Sequence, residues 1–129
     1  MNKIIVEISI GELLDKISIL EIKKDKIKDP KKLEFVSNEH TILKSQLENN
    51  IKTDDKLNEL FQSLKEINTK LWVIEDNKRL CEKDKDFGDN FIKLSRDVHF
   101  LNDERAKIKL KINDHTGSKI KEIKEYTKY

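Results

Sequence analysis

The chain has 129 residues, 40% of them charged and 36% hydrophobic, and its 27 basic and 25 acidic side chains leave a net charge of +2. That length holds one modest core and not two, and a charge balance so near neutrality does not point to nucleic acid as a partner. The lone cysteine, Cys81, excludes an intramolecular disulfide or a multi-cysteine metal site and suits a reducing compartment, so a cytoplasmic location is expected.

High charge would suggest disorder, but the apolar residues recur at helical spacing, and the charges therefore read as solvated helix faces. An all-α fold is expected, as a single helical domain over 1–129. The N-terminal stretch acquires Glu7, Glu12 and Asp15 too early for a secretory leader. No apolar run approaches the about 18 residues a membrane span needs, so no membrane partner is expected.

Residues 1–9 form an arm whose Lys3–Ile8 stretch is β-rich and weakly alternating, either a short strand or an extended segment. Ser9-Ile10-Gly11-Glu12 is a capping-box pattern, with Ser9 at the N-cap and Glu12 reaching back. It opens a helix over about 10–28, with Leu13, Leu14, Ile17, Leu20 and Ile27 on the buried side. Asp29-Pro30 ends that helix and caps the next, over about 30–49, whose stripe is Leu33, Val36, His40, Leu43 and Leu47.

Thr53 opens a third helix, about 54–84, which carries Leu57, Leu60, Leu64, Ile67, Leu71, Ile74, Lys78 and Cys81. Lys85-Asp86-Phe87-Gly88 breaks it. The fourth, about 89–115, carries Phe91, Leu94, Val98, Leu101, Arg105, Ile108 and Ile112, and a tail over 118–129 follows Gly117. Short connections favour antiparallel neighbours, so the spacing predicts two helical hairpins, the second the longer, packed as a bundle with coiled-coil-like seams.

Polar residues sit inside this pattern. Beside the third helix's apolar stripe runs a line of Asn68, Trp72, Glu75, Arg79 and Glu82, at steps that place them on one face. The fourth helix has Ser95, Asn102, Arg105 and Lys109, and the first has Glu12, Asp15, Ile19, Ile22 and Lys26. Only Arg79, Arg96 and Arg105 are arginine among the 27 basic residues, which hints that these positions use the planar, bidentate guanidinium.

Two structural accounts stand beside a functional one. Glu75–Arg79 and Arg79–Glu82 can be ion pairs on a solvated face, worth about 0.2–0.5 kcal/mol each. Alternatively, Arg79 and Arg105 pair with Glu75 or Asp76 across the helix interface and fix register. In the functional account the flanks converge on a groove. Arg79, Arg105 and Lys109 hold an anionic group, Asn68 and Asn102 hydrogen-bond a polar one, Trp72 stacks on a flat face, and Glu75 lines the wall.

Other candidates are weaker. His40 lies on an apolar stripe and reads as a core residue. His99 and His115 lack ligands at metal spacing, so no metal is expected. Cys81 reads as a small buried hydrophobe. The glycines are too few and scattered for a phosphate loop, and no cofactor is implied. Glu12-Leu13-Leu14-Asp15 matches the E-x-x-D half of the all-α nucleoside triphosphate pyrophosphohydrolases, but the upstream E-x-x-E half is missing, so membership is rejected and metal-dependent hydrolysis stays a minor alternative.

Gly11-Glu12-Leu13, Asp15-Lys16-Ile17, Ile19-Leu20-Glu21-Ile22-Lys23, Leu71-Trp72, Ile74-Glu75-Asp76, Arg79 and Glu82 form one set of runs. Phe87-Gly88, Phe91, Asn102-Asp103, Arg105, Lys109, Ile112-Asn113, Gly117-Ser118, Glu122, Lys124 and Tyr126 continue it. Together they resemble a family of short bacterial proteins classed as a domain of unknown function. The resemblance covers nearly the whole chain, and the segment of about 30–60 matches only as a generic helix pair. His99 departs from the tyrosine of the family pattern. The resemblance implies a helical fold and carries no catalytic role.

Three functional readings follow. The first is a binding module for a small polar or anionic ligand, with Asn68, Trp72, Glu75, Arg79, Asn102, Arg105 and Lys109 lining the groove. The second is a structural or interaction protein that associates through its helix seams, with a copy of itself or a partner helix. The third is a small enzyme using Glu75 or Glu82 as acid or base.

Overall fold

Each of the first three helices begins where a polar side chain caps it. In the computed structural model, which describes residues 2–129, Ser9 Oγ accepts from the Glu12 amide at 3.0 Å and starts α1 (Ile10–Lys26). Met1 of the expected arm lies outside the described residues. Asp29 accepts from Lys31 N at 3.2 Å, and Pro30 sets the first turn of α2 (Pro30–Asn50). Asp54, one residue after the expected Thr53, accepts from Leu57 N at 2.8 Å ahead of α3 (Asp55–Asp84). α4 (Asp89–Thr116) starts from Gly88 without a side-chain cap.

The C-termini close differently. Ile27 is already extended, so α1 stops at Lys26, two residues short of the expected end. Lys85, at φ 54°, and Gly117, at φ 67°, end α3 and α4 in left-handed conformations. One expectation at the start of α1 fails. Glu12 does not reach back to Ser9, because its carboxylate goes to the ammonium of Lys109 at 2.7 Å, and a charge-assisted bond is the stronger. Ahead of Ser9 the arm is exposed and is not a strand; no strand occurs among the described residues.

The four helices do not form two equivalent hairpins. α1 is central and packs on α2, α3 and α4, whereas the α2 backbone approaches α1 alone. α3 and α4 form the most extensive pair. A helix with three neighbours must bury a wide arc, which is why Gly11, Asp15, Ser18 and Ile22 are buried on α1 along with Leu13, Leu14, Ile17 and Leu20.

The core joins Leu13, Leu14 and Ile17 of α1 to Leu47 of α2, Leu57, Leu60 and Leu64 of α3 and Ile112 of α4. Ile17, Leu64 and Ile112 are fully enclosed, and each such side chain contributes about 1.5–3 kcal/mol. Past Leu71 the α3/α4 hairpin carries few buried side chains. Its seam there thins to half-buried Ile74, Phe91, Val98 and Leu101 around buried Cys81 and Leu94. Lys78, on the same seam, rests 5.9 Å from the Phe91 ring. No helix of the described residues is long and apolar enough to cross a membrane.

Candidate functional site

The first turn of α1 meets the last turns of α4 at Gly11. A Cβ there would lie 2.6 Å from Lys109 O and 2.9 Å from Asn113 Oδ1, so only glycine permits this approach. The Gly11 amide donates to Asn113 Oδ1 at 2.7 Å, and the Ile10 amide to Ser118 Oγ at 3.2 Å. Two of the N–H groups that a helix start leaves orphaned are thereby satisfied from α4 and the tail.

One turn on, on the same face, the Asp15 carboxylate is almost wholly enclosed. Arg105 of α4 grips it by two nitrogens, Nε at 3.0 Å and a second, shorter contact from Nη2. Asn68 Nδ2 of α3 donates to it at 2.8 Å, and also to Ser18 Oγ at 2.8 Å. Asn102 Oδ1 accepts from Arg105 Nη1 at 3.4 Å. Lys109 Nζ sits 3.8 Å from Asp15, and reaches Glu12 at 2.7 Å and Glu122 of the tail at 3.2 Å.

Burial alone would push the Asp15 carboxyl up. The hydrogen bonds from Arg105 and Asn68, with the charges of Arg105 and Lys109, hold it below the ordinary carboxylate range instead. Its hydrogen bond to Asp15 raises Arg105 against its own burial. Burial would lower Lys109, but Glu12, Asp15 and Glu122 raise it. Three carboxylates thus surround two cations, and both cations are committed. This cluster locks α1, α3, α4 and the tail together and has no charge to spare for an anion.

Arg105 also lines a cleft of about 320 Å³ between the C-terminal half of α1 and the middle of α3. Ile19, Ile22, Leu71 and Trp72 supply its apolar surface. Asn68, Glu75, Asp76 and Arg79 supply the rest of its polar lining. Both bonds from Asn68 Nδ2 go to Asp15 and Ser18, which leaves its carbonyl oxygen as the group open to the cleft. Arg79 is exposed, with no carboxylate within 4.0 Å among the described residues.

Five of the seven residues expected to line a groove therefore meet at one cleft: Asn68, Trp72, Glu75, Arg79 and Arg105. Asn102 instead supports the Arg105 guanidinium, and Lys109 lines a separate hollow beneath the tail, with Asn113, Glu122 and Ile123. The ion pairs Glu75–Arg79 and Arg79–Glu82 do not form, and Arg105 pairs with Asp15 rather than with Glu75 or Asp76. Glu75 and Glu82 are exposed.

Sequence reasoning placed Asp15 on a polar flank without finding its partner, and missed Ser18, Asn113 and Ser118. The available signal was Gly11, a helix-breaking residue in a first turn, which marks a close approach by another backbone. His40 is half-buried beside Glu21 at 3.4 Å, and Glu21 also takes Lys65 at 3.0 Å, so this histidine bridges α2 to α1 rather than sitting in the core. Cys81 is buried, as a small hydrophobe would be.

The model of a family of unknown function, DUF6165, matches residues 4–129. No curated protein and no solved structure matches the chain.

Proposed function

We propose that this chain, which belongs to that family of unknown function, is a binding module whose site is the cleft between α1 and α3. The observation that carries the reading is Arg79, a guanidinium without a carboxylate partner among the described residues, in the lining of a cleft that it shares with Trp72. A volume of about 320 Å³ falls at the small end of ligand sites. The ligand class that fits has a flat, weakly polar ring and one carboxylate or phosphate. The ring lies on Trp72, Leu71 and Ile22, and Arg79 takes the anionic group in a two-point contact.

The Asn68 carbonyl accepts a donor from the ring, and Glu75 and Asp76 disfavour ligands with a second anionic group. Asn102 and Lys109 act one step back. They hold the Arg105 guanidinium and the Asp15 carboxylate in place, and so fix the wall of the cleft.

Trp72 is the chain's single tryptophan, so its fluorescence reports on this cleft without labelling. Titration with nucleoside monophosphates, aromatic carboxylates and inorganic phosphate is the test. A shift in emission with at least one organic anion is expected, and Arg79→Gln removes it while leaving the unfolding midpoint in place. No response to any of these, or an undiminished response in Arg79→Gln, counts against the reading.

A second reading, association through helix faces, is favoured by one observation. Exposed Val73 and Phe100 line a shallow hollow of about 560 Å³ on the α3/α4 hairpin, with Ile74 and Leu101 at its base. Sedimentation mass that falls to a monomer's when Val73 and Phe100 are replaced by Ser would support it. Glu75 and Glu82 are exposed and lack the desolvation that sets apart an acid or base held off solvent.

A further inference from the structure

The N-terminal arm is used by neither the core nor the cleft. Ile4, Ile5 and Val6 are 90%, 81% and 69% exposed, which is an unusual run of uncovered β-branched side chains. Its backbone is equally unattached. No N–H or C=O of residues 2–8 hydrogen-bonds to another backbone group among the described residues. Ser9 then anchors the arm's base as the cap of α1, so the segment leaves the bundle at a fixed point.

The sequence Lys3-Ile4-Ile5-Val6-Glu7 is complementary to itself in one orientation only. Laid antiparallel about Ile5, two copies set each Lys3 opposite a Glu7, each Ile4 opposite a Val6, and Ile5 opposite Ile5. A parallel pairing would oppose Lys3 to Lys3 and Glu7 to Glu7. The antiparallel ribbon also sorts by face, because alternate residues point to opposite sides. Ile4 and Val6 make the centre of one face apolar, with Asn2 opposite Ile8 at each end of it, and the salt-bridged pairs flank Ile5 on the other. Opposed β-branched pairs and opposite charges are the contacts that stabilise antiparallel strands.

We propose that two copies of this chain pair through these arms, as an antiparallel two-stranded ribbon centred on Ile5. The ribbon is a two-fold symmetric contact, so the Lys3–Glu7 and Ile4–Val6 pairs each occur twice and the Ile5–Ile5 pair once, on the axis. Short two-stranded ribbons are weak by themselves, so the association is concentration-dependent rather than obligate.

Sedimentation equilibrium of the full chain, with three charge variants, tests this. The wild type is expected to dimerise. Glu7→Lys faces each Lys3 with a second lysine, and Lys3→Glu faces each Glu7 with a second glutamate. Each single variant is expected to weaken the dimer about tenfold or more, because two like-charge contacts replace two opposite ones. Combining Lys3→Glu with Glu7→Lys restores the complement and is expected to return affinity to within about threefold of wild type. Since the arm is exposed, the helical circular dichroism of all three stays unchanged. A wild type still monomeric on the order of 1 mM, single variants that dimerise as well as wild type, or a double variant as weak as the singles would each overturn the proposal.

Discussion

Replacing Asp15 with asparagine keeps the side chain's shape and removes its charge. In the folded chain this leaves the Arg105 guanidinium and the Lys109 ammonium facing an amide. Whichever way that amide turns, one of its N–H groups points at a donor. Removing one member of a buried ion pair costs about 3–5 kcal/mol. The Asp15 side chain is 2% exposed but that of Arg105 is 28% exposed, so water recovers part of the loss, and the lower end, about 3 kcal/mol, applies. For 129 residues with an unfolding entropy of about 2.1 cal/mol/K each, that lowers the melting temperature by about 11 °C.

The sign of the pH dependence follows from the same contacts. Asp15 is held below its ordinary value of about 3.9, so its stabilisation is complete above that pH and is lost as pH falls through the folded value. The gap between wild type and Asp15→Asn is therefore full at about pH 7 and closes toward about pH 2. Urea unfolding followed by circular dichroism at both pH values measures it. A gap under about 1 kcal/mol at neutral pH, no more than a surface pair gives, or one that stays undiminished in acid, would refute the reasoning.

Gly11→Ala raises intrinsic helix propensity yet is expected to destabilise by about 1–3 kcal/mol, because its methyl meets the Lys109 carbonyl at 2.6 Å; thermal unfolding checks it. Asn113→Ala strips the buried Gly11 amide of its acceptor and is expected to cost about 1–3 kcal/mol by denaturant midpoint. The two helix ends with positive φ should respond in opposite directions. Lys85→Gly relieves the left-handed residue and raises stability by about 0.5–1 kcal/mol, whereas Gly117→Ala lowers it by about 1 kcal/mol despite open space around the site.

The sequence was most readable where interactions are local. Ser9 and Asp29-Pro30 act within three residues of themselves, and the leucines of α3 fall on a stripe that any helix phase exposes. What it did not disclose depends on how helices register against each other. Helical phase places Arg105 on an inner face, but not opposite Asp15, 90 residues earlier. Lys109 illustrates the same limit. It has the phase of a groove residue, and only the packing of α1 and the tail against α4 decides that carboxylates from Glu12 and Glu122 take its ammonium. The cleft was partly legible because Asn68, Trp72, Glu75 and Arg79 lie on a single helix, where phase alone brings them together.

The α3/α4 hairpin outruns the helix that braces it, and that asymmetry divides the molecule by rate of opening. Amides near Leu57–Leu64 and Lys109–Asn113 are shielded by the three-helix base and should exchange with deuterium only when the whole chain unfolds. Those from about 76 to 98 lie along a seam in which only Cys81 and Leu94 are buried, so they should exchange through fraying that starts at the Lys85 turn. Trp72 and Arg79 lie on either side of that boundary. A ligand that spans them would slow exchange in the distal hairpin more than at the base, a footprint readable without knowing what the ligand is.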